Sequence, residues 1–68
     1  MPASKRKAAA LFALVLELFE GDAEGARRWL RTPQRGLGGA VPLELASTEI
    51  GARLVENLIG QLEHGILA

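Results

Sequence analysis

The 68-residue sequence has no cysteine and a single histidine, His64. Without thiols, a disulfide framework and thiolate metal sites are excluded, and the composition fits a reducing compartment. One histidine among scattered carboxylates makes no metal site and implies no cofactor. No three groups can be assembled as nucleophile, base and orienting partner either, so the sequence argues against an enzyme. Charge bias is also missing: Lys plus Arg total 8 and Asp plus Glu total 8. No overall basic excess is available to drive nucleic-acid binding. Nor is there a long hydrophobic run. The stretch KRKAAALFALVLEL imitates a secretory leader, but it stops at Glu17 after about nine apolar residues and lacks a small-x-small cleavage site. That is well short of the roughly 20 residues a membrane span requires. Strand-like alternation and internal repeats are absent. The apolar stretch therefore reads as the first helix of a cytoplasmic domain.

What remains is a single small domain. Hydrophobic residues make up 49% of the chain, which argues against disorder. A chain of this size buries only about 60% of its unfolded surface, which leaves room for a partner to complete it. The charges fall in blocks. Lys5, Arg6 and Lys7 come first, in a segment, residues 1–7, expected to be disordered. Glu17, Glu20, Asp22 and Glu24 follow, then Arg27, Arg28, Arg31 and Arg35, then a mainly acidic last third.

The periodicity predicts an all-α fold: a small bundle of three main helices and one short helical turn. A first helix is expected from Lys5 to about Glu20. Its apolar residues, from Ala8 and Leu11 to Leu18 and Phe19, cover an arc of roughly 200°, where a helix on a single core needs about 100°. This helix is therefore expected to be central and also to offer part of its stripe to another chain. Gly21 should end it and Asp22 should cap a second helix over Ala23–Arg31, stopped by Thr32-Pro33. Pro42 starts one or two turns to Ala46. Ser47 or Thr48 caps the last helix, on which Ile50, Leu54, Val55, Leu58, Ile59 and Leu62 read as one apolar face. Gly51 and Gly60 lie inside it at about 1 kcal/mol each relative to alanine, a cost that close approach of another backbone would explain. Gly65 closes it, leaving Ile66, Leu67 and Ala68 as an apolar tail.

Between the second and last helices lies WLRTPQRGLGGAVPLEL. Its glycines do not make a phosphate loop, because no strand precedes them and no Lys-Ser/Thr pair follows. The reading is a packed corner built by Trp29, Leu30, Pro33, Leu37, Gly38, Gly39, Pro42, Leu43 and Leu45. Leu37 would plug back into the core, and the indole N–H of Trp29 would find a carbonyl within the corner. A helix-turn-helix is a poor match, since TPQRGLGG is too long for the usual turn. Residue chemistry thus points to a helical interaction module. Two alternatives stay open: a homo-oligomeric module associating through the first helix, and, less well supported, a small DNA-binding protein using its arginines.

The order and spacing of Trp29-Leu30, Pro33, Leu37-Gly38-Gly39, Pro42-Leu43-x-Leu45, Thr48, Gly51, Val55, Leu58 and Gly65 resemble the toxin-binding domain of the MbcA/ParS/Xre antitoxin family. The resemblance covers about Leu11 to Ala68. Gln34 stands where asparagine is common, and Ala46 stands where a second leucine is common and could leave the corner less tightly packed. The N-terminal helix-turn-helix of many relatives has no counterpart in this sequence, so operator binding is not carried over. The resemblance implies a cytoplasmic helical toxin-binding domain over residues 8–68 whose partner is a RES-domain toxin, an enzyme that depletes cellular NAD. It also implies steric neutralisation, in which Gln61, Glu63, His64, Gly65, Ile66, Leu67 and Ala68 cover the toxin's active-site entrance.

Overall fold

The computed structural model describes residues 3–65, with side chains described from residue 8. It is helical throughout: α1 (Ala3–Leu18), α2 (Ala23–Arg31), a 3₁₀ turn (Arg35–Leu37), α3 (Pro42–Leu45) and α4 (Glu49–Glu63). No strand occurs among the described residues, only an isolated antiparallel bridge between Gln34 and Ala40. The all-α expectation holds, with the 3₁₀ turn as an unforeseen addition. α1 packs against both α2 and α4, and α3 fills the corner between α2 and α4.

The helix boundaries follow local chemistry. α1 starts at Ala3, two residues before the expected Lys5. It ends two residues before the expected Glu20, and the stop signal differs. Gly21 N donates to Leu16 O at 2.8 Å and Glu20 N to Glu17 O at 3.0 Å, the paired bonds of a Schellman end. The left-handed residue of that motif is Glu20 itself, at φ 55°, with Gly21 at φ 89° just beyond it. α2 is capped by Asp22, whose carboxylate accepts from Gly25 N at 3.1 Å. α4 is capped by Thr48, whose Oγ1 accepts from Gly51 N at 2.9 Å. Pro42 occupies the first turn of α3, where its missing N–H costs nothing.

The core is small. Leu11, Val15, Ala26, Leu30, Ala46, Ala52, Val55 and Ile59 are buried, and Phe12, Leu14, Leu16, Phe19, Trp29, Leu37 and Leu45 pack around them. α1 is central, as its broad arc required: Leu11 and Val15 are fully buried and flanked by half-buried Phe12, Leu14, Leu16, Leu18 and Phe19. The large apolar side chains that stand exposed lie elsewhere, at Leu43, Ile50 and Leu54.

Two sequence expectations need correction. Ile50 and Leu54 do not belong to the inward face of α4, because Ile50 is 78% and Leu54 49% exposed. The buried face is Gly51, Ala52, Val55 and Ile59, one step further round the helix. Gly51 explains the phase. A Cβ there would collide with the Leu45 carbonyl, so this face of α4 lies directly on the end of α3. Ala46, the second correction, does not loosen the corner. It is 3% exposed and sits within the core.

Candidate functional site

The corner from Trp29 to Leu45 is held mainly by its own hydrogen bonds. Thr32 ends α2 in an extended conformation, as expected before proline. The Gln34 side chain then turns back and caps the helix: its Nε2 donates to Trp29 O at 3.0 Å and Thr32 O at 3.1 Å. The Gln34 backbone closes the loop, with its N donating to Ala40 O at 3.0 Å and its O accepting from Gly39 N at 2.9 Å. Gln34 is the residue the sequence reading treated only as a departure. Its amide has the reach and donor count to satisfy two carbonyls at a helix end, and that was the available signal. Gly38 at φ 67° and Gly39 at φ 88° take the left-handed geometry that lets the 3₁₀ turn double back.

The predicted corner residues divide by exposure. Leu30 and Pro42 are buried, while Trp29, Leu37 and Leu45 are half-buried against the core. Pro33, Gly38 and Gly39 are exposed turn formers. Leu43 is 38% exposed and lines a shallow hollow with Phe12, Arg27 and Leu30. Among the described residues no partner is found for the Trp29 indole N–H. Trp29 meets the corner through its backbone carbonyl instead.

The C-terminal end of α4 is organised differently. His64 N donates to Gly60 O at 3.1 Å, and Gly65 N to Leu62 O at 3.3 Å. Gly65 adopts φ 68°, turning the chain out of the helix. Gln61, Glu63 and His64 are exposed and Leu62 is half-buried, so this end presents polar side chains above an apolar anchor. The structure therefore brings Gln61, Glu63, His64 and Gly65 together at one tip. Ile66, Leu67 and Ala68 lie outside the described residues. Trp29 to Leu45 and the tip are joined through α4: the 3₁₀ turn packs on the helix, and Gly36 faces the Leu58 side chain.

The arginine face shows a different use for one member. Arg27 stacks its guanidinium 5.6 Å from the centre of the Phe12 ring, a cation–π contact tying α2 to α1. Among the described residues no group of three or more His, Cys, Asp and Glu is placed to hold a metal ion. No helix among them is long and apolar enough to cross a membrane.

The model of one family, the antitoxin Xre/MbcA/ParS C-terminal toxin-binding domain, matches residues 8–65. The chain belongs to that family. Two proteins described as Antitoxin Xre are each 47% identical to it over 53 residues, one from Photorhabdus laumondii subsp. laumondii and one from Yersinia enterocolitica serotype O:8. The alignments cover 78% of this chain but 36% of each relative, so the chain spans about a third of their length. The family match takes in both parts of the site, from the corner to Gly65. This toxin-binding domain thus consists of a braced corner and a long final helix whose tip is open to solvent.

Proposed function

We propose that this domain binds a RES-type, NAD-depleting toxin and neutralises it sterically, with the C-terminal region lying across the toxin's active-site entrance. The covering residues are Gln61, Glu63, His64 and Gly65, continued by Ile66, Leu67 and Ala68. The observation that carries the reading is the tip of α4 in a chain of this family: Gln61, Glu63 and His64 are exposed, and Gly65 turns the chain away from the helix. A segment leaving the domain at that point can enter a neighbour's cleft while the core behind it stays intact. Nothing is chemically transformed, and the toxin is blocked because NAD cannot enter. A cytoplasmic site of action goes with this reading.

The alternatives draw less support. Self-association through α1 was motivated by its wide apolar arc, yet α2 and α4 pack along that helix and the exposed large side chains lie on α3 and α4. A nucleic-acid role needs free arginines, and Arg27 is engaged with Phe12.

The test is to delete Gly65–Ala68 and co-express the shortened chain with the protein encoded by the adjoining reading frame, the candidate RES-type toxin. The expected outcome is a domain with unchanged helical circular dichroism that no longer preserves cellular NAD or growth. Full growth rescue by the shortened chain would sink the covering mechanism.

A further inference from the structure

The described surface of α4 divides into three lengthwise stripes. At about 100° per residue, Gly51, Ala52, Val55, Ile59 and Leu62 share one arc, which holds all the fully buried residues of the helix. Glu49, Arg53, Glu56 and Glu63 share a second, charged arc on the same spacing. Ile50, Leu54, Asn57, Leu58 and Gln61 fall within about 100° of one another on the third. This third stripe carries no charge. It holds the two most exposed large apolar side chains among the described residues, Ile50 at 78% and Leu54 at 49%. Beside it runs an open groove of about 440 Å³ whose walls include Leu37, Leu45, Leu54 and Leu58, with the amides of Asn57 and Gln61 at its margin.

We infer that this uncharged stripe and groove form the surface on which the toxin body docks, with Ile50 and Leu54 as the apolar anchors. The inference rests on the toxin-binding reading above and adds to it a second contact, distinct from the covering tail. Three observations favour the toxin as occupant. Gln61 belongs both to the groove and to the tip, so one partner seated on the stripe extends without a break to the region the tail would cover. The stripe from Ile50 to Gln61 is about 16 Å long at 1.5 Å per residue. With a helix width of about 10 Å its footprint is far below the roughly 800 Å² per partner of a stable dimer. A second copy held by this patch alone would bind weakly, whereas a toxin that also receives the tail gains the missing area. Finally, Ile50 and Leu54 share an open hollow with Glu49, Arg53 and Asn57. The apolar anchors are thus edged by one charge of each sign and an amide, which suits a protein surface offering apolar side chains and hydrogen-bonding groups, not a polyanion.

The experiment measures binding of the full chain to the purified protein of the adjoining reading frame, the candidate toxin, by calorimetric titration. Ile50→Asp and Leu54→Lys should each weaken binding by about tenfold or more, as buried interface anchors do. Leu54→Ala should weaken it in the same direction with less disturbance of the helix. Glu56→Lys, on the charged arc, should stay within about threefold of the parent. All variants should keep the parental circular dichroism, because Ile50 and Leu54 lie outside the core. A parental complex that tolerates both Ile50→Asp and Leu54→Lys overturns the docking surface and leaves the tail mechanism standing. A concentration-dependent dimer of the chain that both substitutions dissolve, with toxin affinity unchanged, also overturns it and assigns the stripe to self-association. Absence of any parental complex overturns the toxin reading and the docking surface together.

Discussion

Replacing Gly51 by alanine sets two effects of opposite sign against each other within one helix. Alanine favours an exposed helix interior over glycine by about 1 kcal/mol. At Gly51, however, the added methyl would overlap the Leu45 carbonyl oxygen, 2.7 Å from its carbon and 2.9 Å from Thr48 Oγ1. Non-bonded carbons rest about 3.5–4.0 Å apart, so α3 and α4 must separate by the order of 1 Å. The obstacle is backbone, fixed by Ala46 N donating to Pro42 O at 2.9 Å and Thr48 N to Leu45 O at 3.2 Å. Overpacking of this kind costs about 1–3 kcal/mol, and displacing Thr48 would lose its cap at about 1 kcal/mol more. The clash wins, with a net loss of about 1–3 kcal/mol. Gly60 supplies the control, since a methyl there meets nothing within 4 Å and only the propensity gain remains. Thermal unfolding followed by circular dichroism reads both. In a domain this small 1 kcal/mol moves the midpoint by about 4–8 °C, so Gly51→Ala should fall by at least that and Gly60→Ala should rise by a few degrees. A Gly51→Ala midpoint at or above the parent would refute the close α3–α4 approach.

Two further stability predictions follow from the helix ends. Thr48→Ala should lose about 1 kcal/mol by urea unfolding, and Thr48→Ser should recover most of it, because Oγ1 accepts from Gly51 N. Glu20→Gly should gain about 0.5–1 kcal/mol in the same assay, since Glu20 holds the left-handed position at φ 55°.

How much the sequence disclosed depends on which force set each feature. Local backbone chemistry was legible: Asp22, Thr48, Pro42 and Gly65 act where their side chains or dihedral freedom required. The phase of α4 was not. Ile50, Leu54, Val55, Leu58, Ile59 and Leu62 fit a single broad helical face, and size alone nominates the isoleucines and leucines as core. The face that turns inward is set by Gly51, which admits the end of α3, with Ala52 buried beside it. Periodicity counts apolar volume. The close approach was signalled only by the cost of the helical glycines, a signal that holds at Gly51 and fails at Gly60, where a methyl meets nothing within 4 Å. The same blindness placed surplus apolar surface on α1, where neighbouring helices take it up, and missed the outward stripe on α4. At the candidate site the tip is nominated by the family resemblance alone, whereas the capping role of Gln34 became visible only once α2's terminal carbonyls lay beside its amide.

These close approaches explain what a glycine- and proline-rich corner contributes to a binding domain. α4 is braced near its start, where Gly51 meets the Leu45 carbonyl. It is braced again past its middle, where a methyl on Gly36 would stand 2.7 Å from Leu58 Cδ1. The first brace acts on the buried face and the second meets the outward stripe only at its half-buried edge, Leu58, so Ile50, Leu54, Asn57 and Gln61 remain exposed. A helix fixed at two points loses little further freedom when a partner seats on it, and that ordering cost is one of the main charges against affinity. With so few fully buried side chains, the core alone would hold α4 loosely. The corner therefore serves binding by holding α4 in place, and its Leu37 and Leu45 also wall the proposed docking groove. A substitution where α4 meets the corner, such as Gly51→Ala, is expected to weaken toxin affinity through the position of α4, whereas Leu54→Lys weakens it at the proposed contact with the fold intact.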